Sequence, residues 1–401
     1  MRIATQQLHE RAVSLMLERQ SQLASTQQQL ATGKRFVSAS EDPTAAAAAM
    51  RLTREIASLE RYQANADLAE AQQTAEEYAL AEVTEVLHGV RELIVQGDNG
   101  SLNDDDRRTL AADLDQRLET LLGLANTRYG DEYLFAGLKS GTRPFSSDGR
   151  GQFTYLGDAG QRMLNVGPDV RTAVNDPGSE VFQGIRAGNG VFETAADAEN
   201  TGSGVISVGT QVGDFVADDY VIAFSRSVPD GDMTYTVLDG SGEVVVGGQY
   251  QSGAAIRFNG AEVVISDAPA DGDEFSIKTA GRQDIFSILH SAARALEVTG
   301  DGPQASAQRQ IALDRSLAEL DGALNQVLAK RAGVGARLNQ VETQREANAA
   351  FQLTAEEALS DTQDLDYAEA AMRLRTQLVG LEAAQRSFLM IQDLSLFRLI
   401  G

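Results

Sequence analysis

The sequence predicts a mainly α-helical rod with long N- and C-terminal helices, an inserted β-hairpin region and a small all-β domain. Three observations support this: apolar stripes at both ends, long stretches without Gly or Pro beside them, and a Gly-rich middle. We expect a terminal coiled-coil domain (1–42 and 360–401), a helical rod domain with β-hairpins (43–184 and 281–359) and an outer β domain (185–280).

The first predicted helix covers residues 1–32, which contain neither Gly nor Pro. Two rows follow the heptad spacing of a coiled coil, with Met16, Leu23 and Leu30 in one row and Val13, Gln20 and Gln27 in the other. Because this stripe is narrow and rich in glutamine, we expect it to need a partner, and we expect the ends of an isolated monomer to be disordered.

A richer apolar stripe follows the last predicted helix and contains Leu374, Leu378, Leu381, Phe388, Ile391, Leu394 and Phe397. Terminal segments fray unless something docks them. We therefore predict an assembly interface in which this stripe and Val13, Met16, Leu23 and Leu30 face one another or neighbouring subunits.

Long helices are also predicted next to the ends. Residues 44–88 lack Gly and Pro and carry apolar residues at helical intervals. After a break at 97–101, Asn103 is placed to cap a helix that runs to about Ala125. The three aspartates that follow Asn103 lack the spacing of a calcium loop, so we interpret them as helix-start residues. Helix returns at Gln283 and continues to the end, with a weak break at 299–303.

The middle of the chain has the pattern of β structure. Between residues 137 and 180, turn residues separate short segments such as 152–156 and 163–166, which predicts hairpins. Residues 185–280 hold 14 of the 37 glycines and five alternating runs, at 220–224, 233–238, 243–246, 254–258 and 262–265, which predicts a small sandwich or barrel. If this insertion enters and leaves at adjacent points, the two helical arms lie side by side.

Composition excludes several classes of function. A net charge of −24 and a pI near 4.5 disfavour binding to nucleic acid or to anionic membrane surfaces. The sequence contains no run of about 18 apolar residues, so it predicts no membrane span. The first 30 residues do not have the pattern of a Sec signal peptide. The absence of cysteine excludes disulfides and thiolate chemistry, and fits both the cytosol and passage unfolded through a narrow channel.

Sequence motifs give no support for catalysis. His9, His88 and His290 lie on predicted helices without metal-ligand spacing, and we interpret them as helix-surface residues. Gly33-Lys34 and the glycines at 202 and 204 do not have the context of a phosphate-binding loop. We therefore expect no enzymatic activity, no cofactor and no metal.

One segment stands out as a motif. It links the first two helices and contains Leu30, Thr32, Gly33, Lys34, Arg35, Ser40, Glu41, Asp42 and Pro43. Locally, Gly33 ends one helix, Ser40 is placed to cap the next, and Pro43 fits its first turn. The segment resembles the N-terminal signature of the bacterial flagellin superfamily, in the version carried by its hook–filament junction branch. The stretches 99–107, 133–137 and 381–385 share that resemblance, which covers about 1–180 and 283–401.

The resemblance implies an extracellular structural subunit of the flagellum, exported through the flagellar type III channel. Its implied partners are the first hook-associated protein, flagellin, further copies of itself in a ring, and an export chaperone bound to the C-terminal helix. A flagellin-type filament subunit is the nearest alternative, although flagellins usually lack a proline at the position of Pro43 and the 99–107 block. A phage-tail or adhesin-like binding protein is a weaker alternative, since the insertion has no Trp and no aspartate cluster of ligand spacing.

Overall fold

The computed structural model describes residues 2–226, 231–300 and 302–400. The helices are α1 (Arg2–Thr32), α2 (Pro43–Gly97), α3 (Asp104–Ala125), α4 (Gly178–Val181), α5 (Ile285–Leu296), α6 (Pro303–Gln363) and α7 (Tyr367–Ile400). The strands are β1 (Arg128–Tyr129), β2 (Glu132–Tyr133), β3 (Phe145–Ser147), β4 (Phe153–Tyr155), β5 (Met163–Gly167), β6 (Val170–Ala173), β7 (Ile185–Arg186), β8 (Phe192–Ala196), β9 (Val205–Ile206), β10 (Thr210–Gln211), β11 (Tyr220–Arg226), β12 (Met233–Leu238), β13 (Val244–Gln249), β14 (Ala255–Phe258), β15 (Ala261–Ser266), β16 (Glu274–Thr279) and β17 (Arg282–Gln283).

The chain divides into two compact units. The terminal unit comprises residues 1–64 and 344–401, and the central unit comprises residues 65–343. No helix in the part of the chain that the structure describes combines the length and the apolar character that a membrane span requires.

The core of the central unit is formed by one face of each of its long helices and by a group of phenylalanines. Leu80, Leu87 and Ile94 of α2 are fully buried in it, because apolar residues at helical spacing make one side of the helix continuous. Four rings pack edge-to-face, tilted or stacked at centroid distances of 5.1–5.8 Å: Phe135, Phe145, Phe182 and Phe286. This core therefore joins the helices to the hairpin region.

Helix boundaries follow polar residues that accept hydrogen bonds from free backbone N–H groups. Asn103 caps α3 by accepting from the backbone of Asp105 and Asp106, both at 2.9 Å, and the Asp106 side chain completes a capping box. The predicted cap is thus confirmed. The predicted continuous helix after residue 303 is wrong, because α6 ends at Gln363 and Asp366 starts α7 by accepting from Ala368 N at 2.9 Å.

The predicted hairpins and β insertion are both present. Strands β3 and β4 pair, and β5 pairs with β6. The insertion has a five-stranded sheet in the order β13-β12-β11-β16-β8, and a second sheet in the order β10-β15-β14 with β9 also on β15. Their apolar faces share one core that includes Ile222, Val237, Val263 and Phe275. Strands β8, β9, β10 and β16 were not predicted. Strands β9 and β10 have only two residues each, whereas β16 does alternate, with Phe275 and Ile277 buried between more exposed residues.

The insertion enters and leaves the helical part at adjacent points. Ile185 of β7 pairs with Gln283 of β17, as the layout of the sequence predicts. The insertion is not separate from the helices, however, because Ala307 and Ile311 of α6 are buried in its core. Removing the insertion would expose both side chains to water.

A buried polar cluster fixes the segment after β6 against two helices of the central unit. Glu76 of α2 has no exposed surface, and its Oε1 accepts a hydrogen bond from Asp176 N at 2.9 Å. Arg337 of α6 donates to both oxygens of the Asp176 carboxylate. Burial, and then the charge of Asp176, raises the pKa of Glu76 to about 8, so that this carboxyl is largely protonated near neutral pH.

Candidate functional site

The two terminal helices form an antiparallel pair within the terminal unit. The rings of His9 on α1 and Phe388 on α7 lie 4.9 Å apart at one end of the pair, and Gly33 lies beside Tyr367 at the other. Seven residues of the predicted interface are half-buried on these two helices: Val13, Met16, Leu23, Leu30, Leu374, Leu381 and Phe388. Leu378 is 46% exposed, and the side chains of Ile391, Leu394 and Phe397 lie outside the described residues.

Near the C-terminal end of α1, the second row is placed one residue earlier than the sequence predicts. Gln20 and Gln27 are exposed, whereas Thr26 is 3% exposed and its hydroxyl donates to Gln22 O at 3.0 Å. Heptad packing alternates steps of three and four residues, and Leu23, Thr26 and Leu30 satisfy that alternation. The sequence pattern does not predict Thr26 as a contact residue, because its hydroxyl is polar. In a helix, however, that hydroxyl can bond the carbonyl four residues earlier.

The pair buries little of its own apolar surface. Thr26 is the one fully buried side chain of α1 among those that the structure describes. Large apolar side chains on both helices remain exposed: Leu15, Leu17, Met372, Leu378, Val379, Leu389 and Met390. Exposed apolar surface of this kind is typical of protein–protein contact sites.

The turn between α1 and α2, which we call the signature loop (residues 33–42), is bound to the break between α6 and α7. Gly33 ends α1 with a φ of +71°, a conformation that favours glycine, and an added Cβ there would lie 2.8 Å from the Tyr367 hydroxyl. Arg35 N donates to Gln363 O at 2.7 Å, and Leu365 N donates to Gly33 O at 2.9 Å. The two breaks are therefore held together as a short antiparallel bridge.

This bridge places Lys34 opposite Asp364. The motif in the first half of the chain gave no indication of its partner. The only sequence signal for the bridge partner is a pair of aspartates, Asp364 and Asp366, in an otherwise helical stretch. Acidic residues are common on helix surfaces, so this signal is not specific for a break in the helix.

The second half of the signature loop starts α2. Asp42 caps this helix, since its carboxylate accepts from Ala45 N at 2.9 Å, and Pro43 is the first helical residue. Our expectation that Ser40 is the cap is wrong, because its hydroxyl instead pairs with that of Ser38 at 2.7 Å. Glu41 accepts from Val37 N at 3.2 Å, so the loop is closed mainly by its own polar groups.

A small apolar cluster packs the signature loop against α2 and α6. Phe36 is buried against the alanines of the first turns of α2, together with Leu359 of α6. Small side chains let an aromatic ring approach the helix closely, which explains the alanine run that follows Pro43. The loop is thus positioned by both backbone bonds and packing.

The described residues show no arrangement for metal chemistry, since they contain no group of three or more His, Asp or Glu side chains placed to bind an ion. The histidines have packing or surface roles. His88 is exposed, whereas His290 is half-buried with its ring 6.5 Å from that of Phe153, so its interpretation as a surface residue is wrong.

Comparison with known proteins matches these features to one family. The model for the bacterial flagellin N-terminal helical region matches residues 3–140, and the model for the C-terminal helical region matches 317–400. The flagellar hook-associated protein 3 of Escherichia coli (strain K12) is 27% identical over 401 residues, which cover 100% of this chain and 99% of that protein.

A solved structure agrees with this assignment. The flagellar junction protein FlgL from Legionella pneumophila is 34% identical, with a TM-score of 0.72 over 79% of this chain and 99% of that one. By contrast, a Salmonella naestved phase 1 flagellin is 38% identical over 109 residues, which cover only 21% of its length. The chain therefore belongs to the flagellar hook-associated protein 3 family, flagellin-related structural subunits of the bacterial flagellum.

Proposed function

We propose that this chain joins the hook to the filament, as a ring of copies that contacts the first hook-associated protein on one side and flagellin on the other. The observation that supports this most directly is the terminal helix pair. Its exposed leucines, methionines and valine form apolar surface that a second copy of the same pair is suited to cover. The proposal involves no catalysis and no cofactor.

A junction is favoured over a filament subunit by the extent of the similarity. The junction relatives match along nearly their whole length, whereas the flagellin match is limited to about a fifth of the flagellin. A protein that joins two different polymers needs two different faces, and one that only repeats in a filament needs a single self-complementary pair of faces.

Export requires that the apolar C-terminal helix be kept from aggregating. We propose that a flagellar export chaperone binds this helix, including Leu394, Leu396, Phe397, Leu399 and Ile400, whose side chains lie outside the described residues. The chain is then exported to the cell exterior. Capture of the chaperone by the full chain, but not by a version ending at Ala370, would support this binding site.

The function itself is tested by deleting the gene and examining hooks, filaments and secreted flagellin. We expect hooks without filaments and flagellin released into the medium. A strain that still assembles attached filaments would contradict the junction role.

The insertion provides an informative second strain. This strain should lack residues 188–280 and keep the paired β7 and β17, joined by a short Gly-Ser bridge. It should also carry Ile311→Gln, so that only the small side chain of Ala307 is left uncovered on α6. We expect attached filaments in this strain. Loss of filaments would move the attachment function to the β domain and favour the binding-protein alternative.

A further inference from the structure

The chain contains three Asn-Gly pairs, at 99–100, 189–190 and 259–260, in three different structural settings. In such a pair the backbone nitrogen of glycine can attack the asparagine side-chain amide, since glycine has no Cβ to block the approach. We propose that Asn99 is a site of spontaneous deamidation in the folded protein, and that the fold protects Asn189 and Asn259.

Asn99 lies in the turn between α2 and α3, where both it and Gly100 are exposed. Its Oδ1 accepts two hydrogen bonds from Ser101, from the backbone N at 3.0 Å and from Oγ at 2.9 Å. Among the contacts of the described residues, neither Asn99 Nδ2 nor Gly100 N donates a hydrogen bond. Gly100 is also uncrowded, because a Cβ there would have no heavy atom within 4 Å.

These contacts match what the reaction needs. The Gly100 nitrogen forms a bond to Cγ of Asn99 and loses its proton to water, and the Cγ–Nδ2 bond then breaks to release ammonia, leaving a cyclic imide. Water opens the imide to aspartate or isoaspartate. The two Ser101 donors are placed to stabilise the negative charge that develops on Oδ1 in the first step, as an oxyanion hole does.

The other two pairs are restrained at one or both of the reacting nitrogens. Asn189 Nδ2 donates to Gly209 O at 3.1 Å, and Gly190 N donates to Ala187 O at 3.1 Å, so both the leaving group and the attacking nitrogen are engaged. Asn259 Nδ2 donates to the Tyr220 hydroxyl at 2.9 Å, in the tight turn between β14 and β15.

Crowding adds to this restraint at the third pair. A Cβ on Gly260 would lie 2.2 Å from Asp214 O, which shows how closely the chain is packed there. Closing a ring at either protected site would require the loss of a hydrogen bond from the leaving nitrogen, and Asn99 Nδ2 makes no such bond among the described contacts.

The product would change the electrostatics of the turn. Aspartate or isoaspartate at 99 adds a negative charge beside Asp98, whose carboxyl has a pKa that burial already raises. Isoaspartate also lengthens the backbone and alters the geometry of the bond from Leu102 N to Asn99 O, now 3.1 Å. The α2–α3 turn would loosen as the protein ages.

The test incubates the purified full-length chain at mildly alkaline pH and follows each site by peptide mass spectrometry, with isoaspartyl methyltransferase labelling to identify the product. We expect Asn99 to deamidate at least about tenfold faster than Asn189 and Asn259, which corresponds to ~1.4 kcal/mol in activation free energy. Equal rates at the three sites, or a faster rate at 189 or 259, would overturn the proposal.

Two controls separate the fold from the local sequence. In chain kept unfolded in urea, the three sites should react at similar rates, and a persistent preference for Asn99 would show that the fold is not the cause. In the folded chain, Gly100→Ala should slow the reaction at 99 by hindering the attack. Ser101→Ala, which keeps the backbone donor but removes Oγ, should slow it less, and no change in either variant would also count against the mechanism.

Discussion

The terminal and central units use long helices in opposite ways, and α2 shows the contrast because residues 43–64 lie in the first unit and 65–97 in the second. In the central unit α2 buries large residues such as Leu80 and Leu87 completely. In the terminal unit its buried residues are mostly alanines, and Met50 is 65% exposed. The central unit therefore has a core of its own, whereas the terminal unit has apolar surface that suits further partners.

The largest expected difference is between two phenylalanines. Phe182→Ala in the central unit should lower the free energy of unfolding by about 3–5 kcal/mol, because the ring is fully buried against three others. Phe351→Ala in the terminal unit removes a ring that is 61% exposed, and should change the free energy of unfolding by less than about 0.5 kcal/mol. Calorimetry can measure both, and similar losses would show that the terminal unit has a core in the monomer.

The second prediction concerns how the stability of the central unit depends on pH. Glu76 of the central unit has its pKa raised from 4.5 to about 8, so the folded state holds a proton that the unfolded state releases. The resulting stabilisation is complete below pH 4.5 and is lost as pH rises to about 8, by up to roughly 5 kcal/mol in total.

Glu76→Gln is the matched control, because an amide stays neutral throughout this range. Chemical denaturation at several pH values should show the two proteins diverging as pH rises from 4.5 to about 8, with the wild type becoming the less stable, and then running parallel. Asp176, Arg337 and Lys330 face the same carboxyl and are unchanged in the comparison. Identical pH profiles would mean that Glu76 is ionised in the folded protein.

A third prediction concerns the exposed stripe of the terminal unit. Leu378→Asp should leave the monomer stable, since this residue is exposed there, but should cost about 1–3 kcal/mol at each subunit contact that buries it. We expect secreted protein but unstable or shed filaments, observed by electron microscopy. Leu381→Asp, at a half-buried position within the pair, should also reduce helix content of the monomer by circular dichroism.

The opposite pattern would be informative as well. If Leu378→Asp assembled normally while Leu381→Asp and Phe388→Asp did not, the half-buried face would be the subunit contact, and the pair would have to open during assembly. Either result shows which face of α7 contacts another subunit. The sequence pattern alone places both faces in one stripe.

The two faces of α7 illustrate which features can be predicted from the sequence and which cannot. The bounds of the first three helices, the Asn103 cap and the position of the β insertion depend on local patterns, and these were predicted correctly. The break between α6 and α7 was not predicted. The bridge between Lys34 and Asp364 and the placement of Ile311 in the β core depend on residues far apart in the chain, which no local pattern encodes. The motif at residues 30–43 identified the family, but not what its loop contacts.

The smallest effect compares two helix caps, one in each unit. Asn103→Ala and Asp42→Ala each remove a side chain that accepts from the first turn of a helix, at a cost of about 1 kcal/mol. Because α3 is part of the central core, we expect the Asn103 loss to appear in global unfolding. The Asp42 loss should appear only as faster amide hydrogen exchange in the first turn of α2, since that turn can open without exposing a large core. Ser40→Ala is the control and should change neither measurement, because its hydroxyl pairs with Ser38 rather than with the helix. If Ser40→Ala accelerated exchange as much as Asp42→Ala, Ser40 would contribute to capping α2, as the sequence predicts.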